Sequence, residues 1–412
     1  MENKKVVNID MRQYGMVLAL IAVYVIFAIL TGGKNMSPAN INNLIMQNGY
    51  IVILAVGMLL CVLTCNVDLG VGSIVATCGA VIGIGMVDYG WNMWVAILAA
   101  LVVGLLCGMF AGFFIAKLGI PPFIVTLATM LMGRGLTYVL LQAQTKGPLP
   151  ADFTYIGAGF LPTIKVGPEG AQIDMVCIIV AAVVSVLIIL AELKSIATKK
   201  KYGFATNPLW QLVVKNVVII GIVWFFFYKL ACYSGIPFVL VLMVLLVGLY
   251  HFITTKTVAG RQIYALGGNE KAAKLSGINT EKVFFWVYTN MGILCAVAGI
   301  VLSARNASAT PKAGDQFEMD AIASCYIGGA ATSGGVGTII GAVVGAFIMG
   351  ILNNGMSLYG FSTDMQKIVK GAVLLGAVTI DLVSKRKKYL NNEKGRGLRA
   401  AEKPAGATAP IE

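Results

Sequence analysis

Histidine is nearly missing from this sequence, and charge of either sign is scarce. It holds one His, His251, and 18 Asp and Glu against 31 Lys and Arg, with 12% of its 412 residues charged. A soluble domain carries roughly 25% charged residues, so a soluble globular chain is excluded. There is no H-E-x-x-H, no G-x-S-x-G and no G-x-x-x-x-G-K-[ST]: the glycine run Gly334-Gly335-Val336-Gly337-Thr338 lacks the lysine of a nucleotide-binding loop. No paired catalytic constellation stands out, so an enzyme has little to work with, and neither catalysis nor a metal site is expected. Eight Cys are present, none in a C-x-x-C pair, and Cys61 and Cys65 at i,i+4 have no nearby His. They read as free, small apolar packing residues. The net charge of +13 does not point to nucleic acid, because the excess lies in loops flanking apolar runs.

What is abundant is apolar: 58% of residues are hydrophobic, the mean hydropathy is +0.84, and there are 48 Gly. Glycine in a membrane lets helices approach closely. The fold class is an all-α, polytopic helical membrane protein of about 10–12 crossings. Candidate spans, each near the ~20 residues a bilayer needs, are 15–31, 44–65, 71–88, 93–116, 122–142, 175–193, 212–231, 237–254, 283–303, 320–332, 336–355 and 366–384. Segment 320–332 is short and Gly-bearing, which suits a half-helix or a re-entrant piece. The first span follows a polar stretch, 1–14, and lacks an A-x-A-like cleavage site, so it reads as uncleaved.

Orientation follows from Lys and Arg. With the N-terminus inside, basic residues concentrate in the alternate loops at 194–215, 256–282 and 385–412, so both termini are expected in the cytoplasm. The longest outer loop is 143–174, rich in Pro and Gly, which suits a cap touched by an extracytoplasmic partner. The tail 385–412 reads as polar and unstructured. GVGSIVATCGAVIGIGM (70–86) and GVGTIIGAVVGAFIMGI (335–351) form a weak parallel internal repeat.

Between two spans lies KTVAGRQIYALGGNEKAAKLSGINTEK, 256–282, polar and basic. Its middle predicts one short helix: Asn269 as N-cap, Glu270 and Lys274 as an i,i+4 pair, and Gly277 as the stop. Two helical turns are marginal alone in water, so the helix is expected to dock on something.

Ionisable residues inside spans are costly, about 2.5–3.5 kcal/mol each on insertion scales, and are functional candidates by default. Arg134, between Gly133 and Gly135, is one. Asp68, beside Gly70 and Gly72, is another, and an Arg134–Asp68 pair is conceivable. Asn353 and Asn354 near an outer helix end complete the candidate pathway, while Asp381 and His251 read as interfacial. Neutral polar groups beside Gly-rich bends suit a neutral, hydroxyl-rich solute. A carboxylate ring or repeated filter of a cation channel is not visible.

Four stretches carry a family resemblance: Leu54–Ser73 (LAVGMLLCVLTCNVDLGVGS), Pro121–Gly135 (PPFIVTLATMLMGRG), Gly260–Ile278 (GRQIYALGGNEKAAKLSGI) and Asp320–Gly355 (DAIASCYIGGAATSGGVGTIIGAVVGAFIMGILNNG). In this order they resemble the membrane permease of binding-protein-dependent, ATP-driven (ABC) monosaccharide importers of the ribose/xylose/galactose branch. The extra basic loop and span at 192–235 make the chain look closer to the xylose or multiple-sugar type. The resemblance implies a dimer of permeases, taken as a homodimer in a bacterial cell membrane, with a separate ABC ATPase subunit carrying ATP and Mg and an external sugar-binding protein. It marks Gly260, Arg261, Gly267, Gly268, Asn269, Glu270, Ala272, Ala273 and Gly277 as the ATPase-coupling loop. The alternative is a gradient-driven sugar carrier or facilitator that needs no ATPase.

Overall fold

The computed structural model describes residues 11–168, 172–203, 209–379 and 382–383. The expected interfacial Asp381, the tail 385–412 and the first ten residues lie outside the described residues. The chain forms α1 (Met11–Leu30), α2 (Pro38–Leu63), α3 (Val71–Gly83, continued by a π-helical turn Ile84–Asp88), α4 (Met93–Ala116), α5 (Pro122–Leu141), α6 (Ala151–Ala158) and α7 (Met175–Lys201). Then follow α8 (Leu209–Ala231), α9 (Phe238–Lys256), α10 (Val258–Gly268), α11 (Glu270–Leu275), α12 (Thr280–Asn306), α13 (Phe317–Ile327), α14 (Ile339–Tyr359) and a helix at 363–379, α15. The only strands among the described residues are a two-residue hairpin, Lys165–Val166 with Ile173–Asp174.

Among the described residues nine helices are long and apolar enough to cross a membrane. The expected spans at 15–31, 320–332 and 366–384 appear as α1, the eleven-residue α13 and α15. Helices start where a short polar side chain accepts an otherwise orphaned N–H: Ser37 before α2, Asn92 before α4, Asp174 before α7, Asn279 before α12 and Thr338 before α14.

The four helices α2, α3, α12 and α14 are largely buried, whereas α8 buries only Leu230 and Ala231 at its end among its described side chains. The inner helices approach through small residues. A Cβ at Gly104 would lie 2.5 Å from the Gly292 carbonyl oxygen, at Gly108 2.6 Å from that of Tyr288, and at Gly112 2.8 Å from that of Phe285. Glycine every fourth residue on α4 thus brings its backbone onto α12 along two turns, the packing expected where lipid supplies no hydrophobic drive between helices. All eight cysteines are free, and five of them are buried.

We call the face bearing residues 257–279 the lower face. Lys117 of the α4–α5 turn pairs there with Glu281 (3.3 Å). On the upper face, Lys146 pairs with Asp88 (2.9 Å) and its backbone bridges to Ala309. The described residues of the loop 143–174 lie on this face as well, and α6 within it is packed into the bundle: Phe153 is fully buried, and Gly157 leaves no room for a Cβ beside the backbone of Val301 and Arg305.

Candidate functional site: a lower junction and an upper polar cluster

Residues 257–279 form two helices where the sequence predicted one. Asn269 caps α11 as expected, accepting the Ala272 N–H at 3.0 Å, and Gly277 follows in the left-handed region at φ 83°. The preceding α10 was hidden by Gly260, Gly267 and Gly268, which disfavour helix in isolation. It forms because Thr257 caps it (3.3 Å to the Gly260 N–H) and because Gly260, Ile263, Leu266 and Gly267 bury one face. Tertiary packing outweighs propensity there. The expected Glu270–Lys274 ion pair is not formed; among the described residues neither side chain has a partner of opposite charge within 4 Å. Of α11, Ala273 is buried, while Leu275 is 91% exposed. Arg261 and Glu270 are exposed, and so is Ala272.

The end of α10 meets two breaks in the inner helices. One is the turn 64–70 between α2 and α3; the other is the non-helical stretch 328–338 between α13 and α14. The Gly335 N–H donates to the Leu63 carbonyl (2.9 Å), the Cys65 thiol to the Ser333 carbonyl (3.0 Å) and the Tyr264 hydroxyl to the Gly337 carbonyl (2.7 Å). Gly267 sits where a Cβ would overlap the Leu63 carbonyl oxygen, and Gly334 where a Cβ would overlap Cys65 Sγ. Three separate backbones are therefore in contact at one point. The two repeated Gly-rich stretches, 70–86 and 335–351, both rise from this place into α3 and α14.

Asp68 and Arg134 are not paired. Asp68 is buried, accepts the Gly70 N–H at 2.8 Å in the turn that opens α3, and has no cation within 4 Å among the described residues. Arg134 on α5 instead donates to the carbonyls of Pro311 (3.1 Å) and Ala313 (2.6 Å), tying α5 to the loop that leads into α13. Gly133 gives α5 close contact with Ser73, but a Cβ at Gly135 would meet nothing within 4 Å, so only the first glycine serves helix approach. A guanidinium satisfied by carbonyls and a carboxylate satisfied by its own turn need no mutual attraction, which is why the charge pattern alone misleads.

Near the upper face, Asn354 and Asn40 exchange two amide hydrogen bonds (2.9 and 3.0 Å), and Asn354 also donates to Gln47 (3.3 Å), so its hydrogen-bonding capacity is taken up in joining α14 to α2. Asn353 points to a different partner: its amide donates to Asp320 of α13 (3.2 Å). The Lys370 ammonium of α15 lies 3.0 Å from both Asp320 oxygens, with both side chains largely shielded from solvent. Neither residue is among the pathway candidates named from the sequence. The pair's signal was present, since opposite charges stood at the ends of the apolar segments 320–332 and 366–384.

A family profile described as "Branched-chain amino acid transport system / permease component" matches residues 40–378. The chain belongs to this permease family. Among curated proteins, the permease is 36% identical over 383 residues to the "Xylose transport system permease protein XylH" of Haemophilus influenzae, covering 93% of this chain and 99% of the relative. It is 36% identical to XylH of Escherichia coli over 384 residues (92% and 94%). It is also 36% identical to the "Ribose import permease protein RbsC" of Escherichia coli over 368 residues (88% and 92%). No solved structure matches the permease. The match covers both broken helices, α10 and α11, and the polar cluster, so the site described above lies wholly within the family region.

Proposed function

We propose that the permease is the membrane subunit of an ATP-driven importer that moves a monosaccharide, xylose or a related pentose, into a bacterial cytoplasm. The names of the xylose and ribose relatives, each covering most of the chain, support the sugar. The lower face would be cytoplasmic, with both termini on that side. A separate ATPase subunit carrying ATP and Mg would dock there, an extracytoplasmic sugar-binding protein would dock on the upper face, and two copies of the permease would form the complex.

The observation that carries this reading is the lower junction. A stroke applied to α10 and α11 has a direct mechanical route to both broken helices, through backbone contacts that leave no slack for side-chain rearrangement. Leu275 supplies the handle: an isolated, almost fully exposed leucine at the tip of α11 is costly in water and gains on burial in a partner. Complete burial of a leucine is worth about 1.5–3 kcal/mol. Leu275→Asp is therefore expected to weaken association with the ATPase subunit at least about tenfold without reducing the amount of permease in the membrane. Co-purification titrations of the two subunits measure this. Unchanged association would show that the helix tip is not the docking point.

A further inference from the structure

Next to α10 the lower half of the bundle holds a groove of ≈ 580 Å³ between α9 and α12, with Leu60 of α2 at its back. Its interior is apolar, built from Ile253 of α9, Ile263 of α10, and Val283 and Val287 of α12. At the deep end the Tyr250 hydroxyl donates to the Asn290 side-chain carbonyl and closes the gap between α9 and α12. The stretch of α12 from Lys282 at the mouth to Asn290 rises about 12 Å. That is close to the ~15 Å of hydrocarbon in one leaflet, half of the ~30 Å core of a bilayer. Leu249 and Phe252 of α9 and Trp286 of α12 are exposed beside the groove, so in a membrane it is reached from the lipid side.

The mouth carries charge of one sign. Lys282 is exposed and is the only charged residue lining the groove among the described residues. Among those residues it has no carboxylate within 4 Å. The two nearest acids in the chain are turned elsewhere: Glu281 pairs with Lys117 (3.3 Å), and Glu270 lines a separate cavity beside Cys65. Trp286 stands one helical turn beyond Lys282 and lines the same groove. An exposed Trp beside a Lys marks the headgroup level of a membrane helix. An apolar trough as deep as a leaflet, with an unbalanced cation at its rim, complements an acyl chain carrying an anionic head. Basic pockets between membrane helices recognise such heads.

We propose that this groove binds one anionic phospholipid of the lower leaflet, with an acyl chain against Leu60 and Ile263 and the phosphate at Lys282. The site needs only the membrane-spanning fold, whatever solute is carried. Its position ties it to the lower junction. Leu60 lies one turn before Leu63, whose carbonyl receives the Gly335 N–H, and Ile263 belongs to α10 itself. A seated chain therefore packs between two of the elements that meet there and props α10 against α2.

The test uses the full-length permease, stripped of lipid in detergent and titrated with dioleoyl phosphatidylglycerol or dioleoyl phosphatidylcholine, with native mass spectrometry counting bound lipid. One phosphatidylglycerol is expected to bind about fivefold more tightly than phosphatidylcholine. Lys282→Glu, at an exposed position, is expected to erase that preference. Lys194→Glu, the same charge change at the lower end of α7 and away from the groove, is expected to keep it. Val283→Trp, which fills the groove, is expected to lose the lipid, and free glycerol 3-phosphate not to compete for the site. Hydrogen exchange of residues 258–268 is expected to slow when phosphatidylglycerol is added to the parent, and not when it is added to Lys282→Glu. The proposal is overturned if the two lipids bind alike, if Lys194→Glu loses the preference as Lys282→Glu does, or if Val283→Trp holds the lipid as the parent does. Displacement by glycerol 3-phosphate, or exchange in α10 that does not respond to the lipid, overturns it equally.

Discussion

Gly267→Ala is expected to cut ATP-driven uptake at least about tenfold, while Gly268→Ala, one residue on, leaves it near the parent level. The two glycines end the same helix and share its composition, yet their surroundings differ. A Cβ at Gly267 would overlap the Leu63 carbonyl oxygen and approach the Gly335 N–H at 2.7 Å; a Cβ at Gly268 would meet nothing within 4 Å. The obstacle at Gly267 is backbone on both sides, so no rotamer change relieves it and α10 must move off the two breaks. Overpacking of this kind costs about 1–3 kcal/mol, enough to open the junction without unfolding a bundle held by α2, α3, α12 and α14. Uptake in proteoliposomes, with ATP hydrolysis recorded alongside, checks the pair. Hydrolysis should persist in Gly267→Ala, because the ATPase still has α11 to hold. Equal uptake by the two variants would mean that the contact with Leu63 carries no part of the stroke.

The second large effect concerns stability. Lys370→Met is expected to destabilise the purified permease by about 3–5 kcal/mol, the cost of leaving one member of a buried ion pair without its partner. Asp320 would keep only the Asn353 amide at 3.2 Å. Adding Asp320→Asn to Lys370→Met removes the stranded charge and should recover most of the loss, since a buried pair often does little more than offset its own desolvation. Thermal unfolding of the two single variants and the double variant in one detergent gives the cycle. A double variant no better than Lys370→Met would mean that the two charges are not coupled in the folded protein.

These two cases show what the sequence could and could not reveal. The crossings were legible because apolar length is a one-dimensional property: α1, the short α13 and α15 stand close to where hydropathy and Gly content put them. Asn269 and Gly277 were legible because a cap and a stop act within a few residues. The junction was not, because Leu63, Gly267 and Gly335 are far apart in the chain and nothing in a lone glycine says which backbone it will face. The same blindness turned Asp68 and Arg134 into a conceivable pair, although one is satisfied by the next turn and the other by carbonyls more than 170 residues away. It also hid α10, whose three glycines argue against helix until the packing of Ile263 and Leu266 is known. Asp320 and Lys370 were visible as charges in apolar segments but could be matched only once α13 and α15 lay side by side.

The central claim is that the permease is a passive conduit whose working stroke comes from ATP hydrolysis on another subunit and enters through α10 and α11. The most direct test is uptake of radiolabelled D-xylose and D-ribose into liposomes holding the purified permease alone or the permease with its ATPase subunit and sugar-binding protein. Uptake is expected only when ATP and both partners are present, with the permease alone at the level of empty liposomes. Sugar entering ATP-free liposomes through the permease by itself, driven by its own gradient or by an ion gradient, would contradict the account.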